Sequence, residues 1–365
     1  MVKELRQLSR DRMTFGMIVM IPLVQLMLFG YAINNDARHL SVGLVDLSGS
    51  VDSSRLVRAL EATQVVNFRS HYANVVAAEA AITRGEVKAV LYLPVDFGSR
   101  LMRHPSVSAS GYIGEPVGQW LVDGSDTVLA AAIRSLRYMP LTEVTGGLSR
   151  PAIESFAVVQ YFNPEQRSVV NIVPGLLGVI LTMTMVLFTS AAIVREREQG
   201  NMELLITTPI QPLELMLGKI LPYVMVGLIQ VSIILGVGHL LFDVPIRGGL
   251  DSMLLAAMLF ICASLSLGLV ISTVAKTQLQ AMQMTVFVLL PSILLSGFLF
   301  PYEAMPQVAQ WIAEALPATH FMRMSRAIVL RDAQVMDLRF DGLWLLGFTC
   351  VGLTVASLRF SKRLD

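Results

Sequence analysis

The chain has 365 residues, of which 54% are hydrophobic and 15% charged, with a formal net charge of +1 at pH 7. Soluble domains carry about a quarter charged residues, so a mean hydropathy of +0.62 sets much of this surface against something other than water. Near-zero net charge excludes a global basic field for nucleic acid and an acidic tail. The two cysteines, Cys262 and Cys350, both fall inside apolar runs, read as small buried hydrophobes and exclude a disulfide framework.

A bilayer core of about 30 Å takes roughly 20 helical residues to cross. The first qualifying segment, Thr14 to Ile33, has no charge. Its apolar run is longer than that of a signal peptide, and no small-x-small cleavage site follows, so a retained anchor is expected.

Residues 34–167 break the apolar pattern and read as a water-soluble module of alternating strands and helices, an α/β or α+β domain. Ser41–Asp46 is strand-like and ends in the turn Leu47-Ser-Gly-Ser. Leu56, Val57 and Leu60 give Arg55–Ala62 helical spacing. A strand is predicted at Val65–Tyr72, an Ala-rich helix at Val75–Arg84, and a strand at Lys88–Leu93 stopped by Pro94. A helix at Asp96–Arg103 follows, then strand-like pieces at Val107–Ile113 and Gln119–Val122, and a helix at Thr127–Leu136. His39, His71 and His104 are scattered and read as surface or turn histidines. Asp46, Asp52 and Asp96 sit where Asp caps backbone N–H groups.

Five more apolar segments follow. Residues 168–194 and 220–242 are the second and third predicted spans, the latter carrying only His239 near its outer end. Residues 252–275 and 277–302 are uncharged, and 342–358 is the shortest. The segments 1–13, 195–219, Lys276 and 359–365 hold eleven Lys and Arg, against five in 243–251 and 303–341. The positive-inside rule therefore places both termini in the cytoplasm and 34–167 outside. Polar residues within the spans are mild (Gln25, Thr182, Thr184, Gln230, Gln283 and several serines) and select no substrate. The scarcity of buried charge argues against an ion-driven carrier.

The inside loop after the second span is the most informative stretch: Arg195-Glu-Arg-Glu-Gln-Gly-Asn-Met-Glu-Leu-Leu-Ile-Thr-Thr-Pro209. Four charges continue directly from a membrane helix, Gly200 allows a sharp turn, and Asn201 can cap a second short helix. Glu203 lies in the first turn of that helix, favourably against its dipole, and Pro209 ends it. Pro212 suits the first turn of the next helix. The apolar residues Met202, Leu204, Leu205 and Ile206 need a partner surface. By spacing alone, a solvated charge run with an interfacial helix is the favoured reading of the segment.

The order Arg195-Glu-x-Glu-x-Gly-x-x-Glu-x-Leu-x-x-Thr-Pro209, with Glu214 and Gly218-Lys219, resembles the loop after the second span in permeases of the ABC-2 type. Position 201 is Asn where many members have Thr, and both residues cap helices. Tyr161-Phe-Asn-Pro164 is similar to the family's extended segment before that span. Leu295-Ser-Gly-Phe-Leu-Phe-Pro301, Met305-Pro306 and Leu316-Pro317 resemble its broken fifth span and short outward helices. Val2–Arg12 resembles its amphipathic elbow helix. The resemblance covers essentially the whole chain.

The resemblance implies a mostly α, polytopic membrane protein with six transmembrane helices and an α/β extracytoplasmic domain inserted between helices 1 and 2. It implies an elbow at 1–13, a cytoplasmic coupling loop at 195–219 and short outward helices at 303–341, in the bacterial inner membrane. The function implied is a permease that exports drugs or other amphiphiles. Glu196, Glu198, Gly200, Glu203, Leu204, Leu205 and Pro209 are then the candidate residues for docking a cytosolic ATPase. The chain lacks Gly-x4-Gly-Lys-Ser/Thr, since Gly218-Lys219 is followed by Ile220. It is therefore expected to hold no cofactor or metal, with ATP and magnesium bound by a separate ATPase subunit. Further expected partners are a second permease copy or paralogue and the lipid bilayer, with a periplasmic adaptor on the outside domain left open. A membrane-anchored sensor or scaffold with a ligand-binding outer domain is the alternative of a different class.

Overall fold

The structure, a computed structural model, describes residues 40–104, 115–139, 141, 154–165, 167–200 and 212–359. The predicted elbow and first span, the strand expected at 107–113 and residues 201–211 lie outside the described residues. The chain divides into two compact units, one of residues 34–171 with 330–333 and one of the remainder.

The first unit is built on one five-stranded sheet. Its strands are β1 (Leu40–Asp46), β2 (Val66–His71), β3 (Ala89–Leu93), β4 (Gly118–Asp123) and β5 (Phe156–Tyr161), in the order β2-β1-β3-β4-β5. β1 runs parallel to β2 and β3, β4 antiparallel to β3, and β5 parallel to β4. Four helices connect and cover them: α1 (Val51–Ala62), α2 (Val75–Arg84), α3 (Phe97–Arg103) and α4 (Thr127–Ser135). Leu56 and Leu60 of α1, Phe97 and Leu101 of α3 and Ile133 of α4 share one core with Val42, Leu44 and Trp120 of the sheet. Ala78, Ala81 and Ile82 of α2 pack with Val45, Val90 and Leu121 in a second core. Alternation along β1 and β3 thus feeds two apolar layers, which is why β3 is almost wholly apolar.

Local chemistry starts and stops these elements. Ser50 caps α1, its hydroxyl accepting from Ser53 N–H at 3.1 Å, so the helix begins four residues before the predicted Arg55. Asn74 caps α2 at 2.8 Å from Ala77 N, and Asp126 caps α4 through Val128 and Leu129 N–H. Two of the three expected aspartate caps are corrected. Asp46 caps a turn through Ser48 and Gly49 N–H, but Asp52 sits inside α1 beside Arg55 and Asp96 makes its bond to Arg100. His104 is fully buried, not a surface residue, with Nε2 3.1 Å from the Glu154 carbonyl.

The second unit is helical: α5 (Ser168–Glu198), α6 (Pro212–Phe242), α7 (Leu250–Val274), α8 (Gln278–Leu295), α9 (Gln307–Glu314), α10 (Pro317–Arg331) and α11 (Arg339–Arg359). Residues 168–171, at the start of α5, and 330–331, at the end of α10, belong to the first unit. Among the described residues, five helices are long and apolar enough to cross a membrane. They overlap five of the six predicted segments with different ends: α5 runs on past 194 to Glu198, and α11 begins at Arg339 rather than 342. The segment expected to run from 277 to 302 is helical only to Leu295, after which Gly297 at φ +85° turns the chain. Leu221, Met225, Ile229, Ile233 and Val237 are exposed at every fourth position of α6, an apolar stripe suited to lipid. Cys350 likewise lies exposed on α11 rather than buried. Small residues permit close packing: a β-carbon on Gly268 of α7 would lie 2.8 Å from Thr189 Cβ and 2.9 Å from the Val186 carbonyl of α5.

Candidate functional site

A run of charge at the end of an apolar helix is a natural handle for a protein partner. Here α5 carries Arg195, Glu196, Arg197 and Glu198 as its last turn. The N–H groups of Gln199 and Gly200 close onto the Arg195 and Arg197 carbonyls, and Gly200 adopts φ +74°. A left-handed residue after the last helical turn satisfies carbonyls that the helix cannot, and glycine does so without a β-carbon penalty. The predicted turn at Gly200 therefore exists, and it directs the chain out of α5.

Of the seven predicted coupling residues, Glu196, Glu198 and Gly200 are described; Glu203, Leu204, Leu205 and Pro209 lie outside the described residues. Glu196 is half-buried and Glu198 exposed. The Glu198 carboxylate accepts from the backbone N–H of Gln278 at 3.0 Å and from its Nε2 at 2.5 Å. Sequence reading missed this partner, 80 residues away, because no local pattern connects them.

The span polar groups mostly serve their own helices. Thr182, Ser232 and Ser292 hydroxyls donate to the Gly178, Leu228 and Val288 carbonyls. Thr184 additionally reaches Gln230 Oε1 of α6 at 2.9 Å, and Ser190 of α5 lies 3.4 Å from Thr285 of α8. A recess lined by Gly178, Thr182, Ser292, Ser296 and Met322 has a volume of about 10 Å³. That is room for about one water and far below a drug-sized site.

A second charged cluster, unforeseen in the sequence, joins α9, α10 and α11. Arg323 Nη1 is 3.1 Å from Glu314 Oε2, and Nη2 contacts the other carboxylate oxygen. The Arg323 guanidinium also lies 4.6 Å from the centre of the Tyr302 ring. His320, almost fully buried, sets Nδ1 2.7 Å from Asp341 and Nε2 3.0 Å from the Glu314 carbonyl, and stacks on Trp344. Burial pushes the Glu314 carboxyl up, but hydrogen bonds from Arg323 and Tyr302 outweigh it and hold it below the usual range. Burial acts downward on Arg323, and Glu314 more than restores it, leaving the guanidinium raised. The signal available in the sequence was the loop's four arginines, which charge counting assigned to orientation.

Among its described residues the α/β unit holds a buried pair. Asp123 is 2% exposed, with Oδ2 3.5 Å from Arg331 Nε. Burial raises the Asp123 carboxyl, and the charges of Arg331 and Lys88 with the Ser125 hydrogen bonds bring it below its ordinary value. On the Tyr161 hydroxyl, burial and the 2.6 Å bond to Glu79 act together and push it up to about 12. None of these groups forms a nucleophile–base pair. Among the described residues no group of three His, Cys, Asp or Glu could hold a metal ion.

The chain is 30% identical over 378 residues to the Escherichia coli (strain K12) probable multidrug ABC transporter permease YbhS, covering 100% of this chain and 96% of that one. It is 26% identical to YbhR, a protein of the same description and organism, over 99% and 97% of the two chains. It is also 24% identical to ABC transporter G family member 20 of Dictyostelium discoideum, over 93% of this chain and 46% of that protein. The sequence profile described as ABC-2 family transporter protein matches residues 12–358. With apolar helices, a charged turn at the end of α5 and a match that spans nearly its whole length, the chain belongs to the ABC-2 transporter family.

Proposed function

We propose that this chain is the permease subunit of an ATP-driven exporter, embedded in the bacterial inner membrane, with drug-like or amphiphilic molecules as its substrates. The observation that carries the reading is the charged last turn of α5 ending at left-handed Gly200, on a chain whose relatives over full length are named multidrug ABC transporter permeases. The sequence carries no Gly-x4-Gly-Lys-Ser/Thr phosphate loop, and in this reading ATP and magnesium would be bound by a separate subunit.

In this reading 195–209 is the handle. Gly200 sets its direction, Leu204 and Leu205 supply the apolar docking face, and Glu196 and Glu203 face basic residues of the ATPase. Pro209 would be the last residue of the docking stretch. Two permease copies, or this chain and a paralogue, would build the path between them. The α/β unit would lie outside the membrane, between the first and second of six spans, where an adaptor could reach it.

Affinity purification of the full-length chain from its own host's membranes tests this. The expected result is a co-purifying protein with a phosphate loop. A chain that leaves detergent alone, yet binds a ligand through the α/β unit, would favour a sensor or scaffold.

A further inference from the structure

α5 and α8 meet at three successive turns along one face of α5. Ser190 lies 3.4 Å from Thr285, Val194 packs in one cluster with Ala275 and Ala281, and Glu198 holds Gln278. Positions 190, 194 and 198 are four apart, which is the spacing of a single helix face.

The last of these contacts occupies both oxygens of Glu198. Gln278 is the first residue of α8, so its N–H has no partner within that helix. Thr277 is the local N-cap and takes Gln280 N–H at 3.2 Å. Glu198 takes the donor that Thr277 leaves, and its negative charge is favoured at a helix N-terminus. The glutamate at the root of the loop thus completes the cap of a different helix.

We propose that Glu198 is a positioning residue: it ties the root of the 195–209 loop to the inner end of α8, so that displacement of the loop carries α8 with it. This rests on the reading of that loop as the ATPase handle. It withdraws Glu198 from the groups that face the ATPase and leaves Glu196 and Glu203. α8 runs for 18 residues before the Gly297 bend, with Pro291 removing one backbone hydrogen bond near its far end, so a push at Gln278 is carried along the helix as far as that proline. Glu198 acts on rate without touching substrate.

The test uses the full-length permease with its native ATPase, in membranes of a host lacking the chromosomal copy, and reads ethidium efflux and recovery of the ATPase. E198A removes the acceptor. Q278P removes both donors at the first helical position, where proline is well tolerated. Each is expected to lower maximal efflux by roughly ten-fold, with half-saturating ethidium unchanged and ATPase recovery as in wild type. The E198A/Q278P double variant should be no worse than either single one. E198Q keeps an amide oxygen for the Gln278 N–H and should stay within roughly two-fold of wild type. Additive losses, Q278P at wild-type rate, or E198A shedding the ATPase would overturn the proposal. If wild type recovers no ATPase, the handle reading fails. The tie is then read from E198C/Q278C, with C262A and C350A, by a short thiol-to-thiol cross-linker. Efficient intrachain linkage supports it and absence of linkage rejects it.

Discussion

The ring of Phe298, just past the bend that ends α8, lies against Gly175 of α5 so closely that a β-carbon there would sit 2.0 Å from Phe298 Cδ2. The aromatic ring cannot yield by bending as a Lys tip would, so the contact sets the distance between the two segments. Placing alanine at Gly175 should cost about 1–3 kcal/mol from overpacking, against a gain of about 1 kcal/mol in helix propensity. Thermal unfolding of G175A in detergent should therefore show a lower midpoint than wild type. In the F298A background, where the space is open, G175A should be neutral or mildly stabilising.

The Asp123–Arg331 pair gives a second expectation. Replacing Arg331 with Met leaves a carboxylate buried without its nearest positive charge, a change of about 3–5 kcal/mol. The folded-state value of Asp123 lies below its unfolded one, so its contribution is full above the unfolded value and declines as pH falls through the folded one. The acid limb of the wild-type stability curve should shift to higher pH in D123N only if that sign is wrong. The expected D123N curve is lower at neutral pH and flatter in acid.

Arg323 and Glu314 make the same argument at smaller scale, because both are more than a third exposed and water screens them. R323A should cost about 1 kcal/mol at neutral pH. Glu314 is held low, so the pair persists above the unfolded carboxylate value and weakens as pH falls through the folded one. Arg323 is raised and loses its proton only far above neutrality. Unfolding midpoints of R323A and wild type should thus converge in acid.

Gly200 distinguishes backbone from side chain. A β-branched residue at φ +74° costs about 1–2 kcal/mol or more, whereas Asn enters the left-handed region readily. G200V should lose most export while G200N keeps it, measured as ethidium efflux at matched permease levels in membranes. Equal activity of the two would mean that the turn out of α5 carries no coupling role.

Much of this architecture was written in local patterns. The Ala-rich run at 75–84 and the Pro94-stopped run at 88–93 became α2 and β3 nearly residue for residue, because burial period and end signals agreed. β5 went unread because Phe156–Tyr161 is a short, mixed edge strand whose place is decided by pairing with β4. The early start of α1 needed Ser50 to be seen as its cap. At the candidate site, Gly200 was legible from composition, and the Glu198–Gln278 bond was not, since a hydrogen bond between residues far apart in sequence leaves no periodic trace. The His320–Asp341 contact escaped for the same reason.

The most direct test of the central claim is the energy source of export. Ethidium efflux from cells carrying the permease and its ATPase should stop when ATP is depleted with the proton gradient maintained. It should continue when the gradient is collapsed with ATP present. Efflux that survives ATP depletion and fails with the gradient would contradict the assignment of this chain to an ATP-driven exporter.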